Sequence, residues 1–293
     1  VSNPTVLIFT VLAAASSTAL AQSVPAAIYT DPPADAAHPA KMTVVHIPTH
    51  GLLINGLVYQ PSGAGLHPTV VICHGLPGNE KNLDLAQALR RAGWNAVTFN
   101  YRGSWGSPGD FRFAQNLEDA KAVLAYLREP TNAAMLGVDT QRIALAGHSM
   151  GGWVVAHTAA NDHGLIGAIM ISAADMGGMG DLPRDRVVAL MADDMESLTG
   201  VTAGSMADEV RANAKAFRME NAAAGLSQVP LLALTSDDGL APNTDALIRA
   251  IEAKGGHKIT TLHFATDHSW SDRRITLESE IIKWLNDMRD AGR

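Results

Sequence analysis

The sequence predicts an α/β fold: a mostly parallel central sheet with helices on both faces and a small helical cap insertion. Three observations predict it. Short apolar runs bounded by turn residues alternate with segments of helical spacing along most of the 293 residues. Continuous apolar runs of that length read as strands buried on both faces, and their alternation with helices requires parallel crossovers. The composition, 47% hydrophobic and 17% charged, suits a packed core rather than a disordered chain.

The start differs in kind. "TVLIFTVLAAASSTALAQS" is apolar and ends in Ala19-Leu20-Ala21. Small residues at the −3 and −1 positions predict a signal peptide over residues 1–21, cleaved after Ala21, and hence export to the periplasm or the medium. No positively charged segment precedes it, so an uncleaved membrane anchor is the alternative; after cleavage no stable membrane insertion is expected. Residues 22–40, rich in Pro and Ala, read as a linker with no packed face.

From residue 41 the elements follow in order. "KMTVVHIP" and "LLINGLVYQP", joined by His50-Gly51, predict an antiparallel hairpin. "HPTVVICHG" is a buried strand, "NLDLAQALRRAG" a helix closed by Gly93, "WNAVTFNYRG" a strand and "FAQNLEDAKAVLAYLRE" an amphipathic helix. "QRIALAG" is a strand, "WVVAHTAAN" begins a helix and "LIGAIMISAA" is a further strand. "VPLLALTS", "NTDALIRAIEAKG", "KITTLHF" and "ITLESEIIKWLNDMRDAG" close the series as strand, helix, strand, helix. Residues 175–228 interrupt it with two helix-like stretches, predicting a helical cap at the carboxyl edge of the sheet. Its methionines, Met179, Met191, Met195, Met206 and Met219, are expected to fill gaps between helices or to line an apolar pocket.

Several functions are disfavoured. Net charge is −7 with no long basic run, which argues against nucleic acid as a partner. The single cysteine, Cys73, sits in an apolar strand and reads as a small buried hydrophobe. No metal-site spacing is present.

At the end of "RIALAG" stands Gly147-His148-Ser149-Met150-Gly151. Glycines on both sides let a strand turn at once into a helix and set Ser149 on the tip of the turn. A serine hydroxyl needs a base to take its proton, and a histidine base needs a carboxylate to fix its tautomer. After Ser149 the chain offers candidates for both, acids first and histidines last. "LLALTS" runs into two adjacent carboxylates, Asp237 and Asp238, and Asp175 ends an earlier strand. His268 follows the last strand, while His263 lies within it and reads as an edge residue; Asp267 points away from its neighbour and is a poor orienter. The backbone N–H of Met150, next after the nucleophile, would be one oxyanion donor. Ser104 and Ser107 have no such turn around them.

Together these motifs resemble the α/β-hydrolase superfamily over about residues 41–293, within the group of serine esterases, dienelactone-hydrolase-like enzymes and serine aminopeptidase-like proteins. "TSDDGLAP" is similar to that family's Gly-x-x-Asp-x-x-x-Pro segment with Thr235 in place of the glycine. The resemblance implies that Asp238 is the acid, Asp237 a turn residue and Asp175 the alternative. It places His268 in the histidine loop. "HGLPGNEKN" resembles the His-Gly-x oxyanion loop, which implies the Leu76 N–H as second donor and His74 as a loop-shaping residue. "NYRGSWGSPGDF" resembles a structural loop of the same superfamily. A serine at position 149 disfavours haloalkane dehalogenase chemistry, which uses an aspartate there. The implied activity is a serine hydrolase needing no metal or organic cofactor, acting on a small-molecule ester. A short-peptide substrate is the alternative, with Glu80, Asp193, Asp194 or Glu196 as anchors for its amino group. A non-catalytic binding protein on the same fold is the reading from another class.

Overall fold

In the computed structural model, residues 24–291 are described. The expected signal segment, residues 1–21, lies outside them. The first element is a one-turn helix, α1 (Ala26–Tyr29), followed by strands β1 (Lys41–Thr49), β2 (Leu52–Gln60) and β3 (His67–Cys73). Then come α2 (Leu83–Arg91), β4 (Asn95–Phe99), α3 (Phe113–Arg128), α4 (Pro130–Leu136), β5 (Val138–His148), α5 (Met150–Ala159) and β6 (Leu165–Ile171). Between β6 and the next strand lie α6 (Met176–Gly180), α7 (Arg184–Ala192), α8 (Ala203–Ala212), a 3-10 turn (Met219–Ala222) and α9 (Ala223–Leu226). The chain closes with β7 (Leu231–Ser236), α10 (Ala241–Glu252), β8 (Ile259–Phe264) and α11 (Arg274–Ala291).

The sheet has the order β1-β2-β4-β3-β5-β6-β7-β8. β1, β2 and β4 pair antiparallel, and from β4 through β3 to β8 every pair is parallel. The hairpin alternates because only one face is covered: Val45 and Ile47 point into the core, while Met42 and Val44 are exposed. β3 and β4 are buried on both faces, as their unbroken apolar runs require. One layer packs Val71 and Leu145 against Trp153 of α5 and Val123 of α3. The opposite layer packs Val70 and Ile72 against Leu85 and Leu89 of α2 and Ile281 of α11.

Two features depart from the sequence reading. The Pro/Ala-rich segment has a packed side: Ile28 sits against the second layer, and Arg91 donates to the carbonyls of Ala27 (2.5 Å) and Ile28 (3.3 Å). Helix α4 was not expected. Pro130 occupies its first turn, and the Glu129 side chain accepts the Asn132 N–H at 2.9 Å, so it is capped by residues that also suit a loop. The methionines of the insertion largely fill space, with Met191, Met206 and Met219 buried in the core. Among the described residues, no helix is long and apolar enough to cross a membrane.

One partly buried polar cluster ties α2 to α11 within the second layer, near the sheet's carboxyl edge. Arg274 grips Asp84 through two nitrogens and reaches Asn82 Oδ1 at 2.9 Å. Burial, and then the Asp84 carboxylate beside it, push Glu278 up to about 7, against the pull of Arg274 and Arg91. The folded state therefore holds that proton more tightly than the unfolded chain. Its contribution to stability is fully present below the unfolded carboxyl value and is lost as pH rises through about 7. Glu278→Gln should accordingly raise the melting temperature at pH 8 and give little or no gain at pH 4, measured by thermal unfolding of both proteins in both buffers.

Candidate active site

The turn from β5 into α5 is built by contacts that only glycine allows. A Cβ on Gly147 would strike the Gly151 carbonyl, and a Cβ on Gly151 would strike the Cys73 carbonyl. Ser149 sits between them at φ 57°, ψ −122°, a conformation a side-chain-bearing residue rarely adopts. The surrounding backbone enforces it: the Ser149 N–H donates to Ile171 O at 2.9 Å and its carbonyl accepts from Ala174 N at 3.0 Å. The result presents Ser149 at the carboxyl end of the sheet and the N-terminus of α5, where the first N–H groups lack intrahelical acceptors. The Met150 N–H is the first of these.

The loop after β3 lies against this turn. The position a Cβ would take on Gly75 is 3.0 Å from Ser149 Cβ and 3.2 Å from the His148 carbonyl. Leu76 follows directly, so its backbone runs beside the nucleophile candidate. His74 is buried, and its Nδ1 donates to the Gly75 carbonyl at 2.8 Å. Burial lowers its pKa to about 4, so the ring is neutral at ordinary pH and shapes the loop from within. The loop after β4 and the insertion close over the same edge. Trp105 Nε1 donates to Pro77 O at 2.6 Å, and the Trp105 and Phe111 N–H groups bond Ser197 and Thr199 carbonyls, each at 2.9 Å. Ser107 is occupied, donating to Asn100 O at 2.8 Å and accepting from Asn55 N at 3.0 Å; Ser104 is buried.

The loops after β7 and β8 bring the acid and histidine candidates together. Asp238 Oδ2 is 2.7 Å from His268 Nδ1, and Asp238 Oδ1 accepts the Leu240 N–H at 2.9 Å. The Asp238 side chain is 5% exposed and His268 39%, so the acid is enclosed while the ring reaches the open side. Burial alone would raise the Asp238 pKa; the hydrogen bond to His268 and the Leu240 N–H outweigh it and hold the carboxyl down at about 2. The group is thus an anion throughout the working pH range. Among the described residues no hydrogen bond joins Ser149 Oγ to His268, a contact that in enzymes often tightens only with substrate in place.

The other candidates are engaged elsewhere. Asp237 is exposed and pairs with His263 Nε2 at 3.0 Å, and His263 Nδ1 is 2.9 Å from Thr235 Oγ1, so these three form a surface group at the β8 edge. Asp267 accepts the Ser271 N–H at 2.8 Å and shapes the histidine loop. Asp175 caps α6, taking the N–H groups of Gly177, Gly178 and Met219 at 3.0–3.1 Å. Its oxygens are filled by the insertion and do not face His268. Glu80 accepts the Asn82 N–H at 2.6 Å. Asp194 is half-buried within electrostatic reach of His268; burial, then Asp193 and Glu196, push it up to about 6. Cys73 is fully buried, and burial pushes its thiol up to about 12.

One neighbour was missed from sequence. His148, between Gly147 and Ser149, is buried, and its Nε2 lies 2.7 Å from the His268 carbonyl, 120 residues away along the chain. The only sequence signal was its place beside the nucleophile candidate on a strand end.

Comparison with known proteins agrees with this architecture. The profile of the alpha/beta hydrolase family matches residues 70–286. An uncharacterized protein of Mycobacterium tuberculosis is 31% identical over 121 residues, 41% of this chain and 41% of that one, so the match spans about two fifths of the curated relative's length. The crystal structure of EstE1, a carboxylesterase cloned from a metagenomic library, is 21% identical, covers 86% of this chain and 90% of its own, and superposes with a TM-score of 0.62. An acylaminoacyl peptidase from Pyrococcus horikoshii is 17% identical, covers 84% of this chain and 41% of its own, and gives 0.64. At these identities the structural likeness speaks for the fold.

Proposed function

Because the chain belongs to the alpha/beta hydrolase family, we propose that it is a serine hydrolase that cleaves small carboxylic esters through an acyl-enzyme on Ser149. The observation that carries the reading is the 2.7 Å contact of Asp238 with His268 at the same sheet edge as the strained Ser149 turn. Ser149 Oγ attacks the ester carbonyl carbon while its proton passes to His268 Nε2. Asp238 accepts the Nδ1–H, which fixes the tautomer and stabilises the imidazolium. The carbonyl oxygen gains negative charge and takes hydrogen bonds from the Met150 and Leu76 N–H groups. Collapse breaks the ester C–O bond, and His268 returns its proton to the departing alcohol. Water then enters, gives a proton to His268, and attacks the acyl carbon. Breakdown releases the acid and restores the Ser149 hydroxyl.

This fold is shared with a carboxylesterase and with an acylaminoacyl peptidase, so the bond class is argued from the site. An ester needs nothing beyond the groups just named. A peptide with a free amino terminus would use a fixed anion for that group, and the Glu80 carboxylate already holds the Asn82 N–H. Asp194, within electrostatic reach of His268 and flanked by Asp193 and Glu196, could attract an amine and carries the second reading. A panel of short- and long-acyl nitrophenyl esters against aminoacyl nitroanilides decides between them. The ester reading expects turnover on esters and almost none on anilides; the reverse order would overturn it. Export with cleavage after Ala21 is part of the same proposal. N-terminal sequencing of the exported protein should begin at Gln22, and a product retaining residues 6–21 would favour the anchor.

A further inference from the structure

We infer that His148 is a positioning residue: its Nε2–H fixes the backbone of His268 to the strand that carries the nucleophile. The inference rests on the triad reading above and adds a residue to it. A carbonyl only accepts, so the 2.7 Å contact requires the proton on His148 Nε2. The ring is buried, and burial, then the neighbouring His268, lower its pKa to about 4. At neutral pH it is therefore an uncharged imidazole with one proton, held on Nε2 by that carbonyl.

The placement explains why the contact bears on reaction geometry. His148 is the last residue of β5 and pairs in register with Ile171 of β6, so its backbone is fixed by the sheet. His268 lies in the loop between β8 and α11, outside any strand or helix. Asp238 holds the ring of that residue at Nδ1, and His148 holds its backbone carbonyl, so two contacts fix one residue at ring and backbone. The two imidazole rings lie 4.6 Å apart, tilted by 43°. On its other side, His148 Nδ1 lies 3.6 Å from where a Cβ on Gly75 would stand, so only a residue without a Cβ leaves that space open beside the proposed oxyanion loop. One side chain of the nucleophile's strand thus reaches the base's loop, beside the proposed oxyanion loop. Misplacing a catalytic group by about 1 Å can cost about 10²-fold in rate, so this contact is expected to act on turnover.

Three substitutions separate donor from packing. In His148→Gln the side-chain amide ends near the place of Nε2 and can still donate to His268. In His148→Phe the ring volume stays and the donor goes. In His148→Asn the amide ends near Nδ1 and falls short of the carbonyl. Each is scored by kcat, KM and melting temperature on the best nitrophenyl ester, and by the labelling rate of Ser149 with a fluorophosphonate. The inference expects Gln to stay within about threefold of wild type, with Phe and Asn losing about 10–100-fold in kcat at nearly unchanged KM. A purely packing role predicts the opposite order, with Phe best. Phe or Asn turning over as fast as Gln, or a loss confined to KM, would overturn it. Should Phe fail to fold, Asn against Gln makes the same test. Wild-type labelling at Ser149 separates the two levels: its absence sinks the triad reading, while its presence with Phe equal to wild type sinks only the role of His148.

Discussion

A fluorophosphonate probe should label Ser149 in the wild-type protein and leave Ser149→Ala unlabelled, and the variant should lose about 10⁶ in kcat, by analogy with loss of a triad serine in subtilisin. The size follows from the mechanism. Without Oγ no acyl-enzyme forms, and what remains is binding and oxyanion stabilisation of a direct attack by water. The fold should survive the change. The glycine contacts around residue 149 involve its backbone and Cβ, and Ser149 N–H and C=O, not Oγ, tie it to Ile171 and Ala174. Alanine must hold the same positive φ that serine holds, so the strain of the turn is common to both. Near-normal turnover in a folded Ser149→Ala protein would remove serine hydrolysis altogether. Labelling that moves to Ser104 or Ser107 would show that the turn is not the nucleophile's seat.

The fold was legible because its strands are of the kind that pattern alone reveals. β3, β4 and the end of β5 are apolar on both faces, so "TVVIC", "NAVTF" and "RIALAG" stand out against charged helices. The Ser149 turn was legible for a steric reason: two close backbone approaches demand glycine at 147 and 151, and that demand is visible as letters. What the sequence left obscure are contacts between distant segments. Asp175 and Asp238 look alike in sequence, each a carboxylate beyond an apolar strand. They differ because Asp175 meets the Met219 N–H, 44 residues on, whereas Asp238 meets His268. His148 could be seen beside Ser149, but its partner is fixed only when β8 and its loop come to rest at the same edge. Ile28 is one apolar residue in a Pro/Ala stretch, too little for periodicity to show a docked turn.

Asp238→Asn should lose about 10⁴ in kcat, as loss of the buried aspartate does in the serine-protease template. The structure gives the reason at the level of single atoms. The Leu240 N–H points at Oδ1 at 2.9 Å and needs an oxygen there. An asparagine satisfies it by placing its carbonyl oxygen toward Leu240, which turns its NH₂ toward His268. That NH₂ donates, so His268 Nδ1 must accept, and the ring proton moves to Nε2. Nε2 then faces Ser149 already protonated and cannot take its proton. The lost negative charge also leaves the imidazolium of the transition state unsupported. KM should change little, since Asp238 is enclosed and touches no substrate. Asp237→Asn should keep kcat within a few-fold, because that carboxylate pairs with His263 at the β8 edge. Asp175→Asn should act on stability instead: it weakens a cap that takes three N–H groups, at a cost of about 1–3 kcal/mol, visible as a lower melting temperature with kcat nearly kept. Circular dichroism on each variant precedes the kinetics. A dead Asp175→Asn beside an Asp238→Asn protein within about tenfold of wild type would move the acid to the earlier strand and undo the pairing with His268 as the basis of the activity.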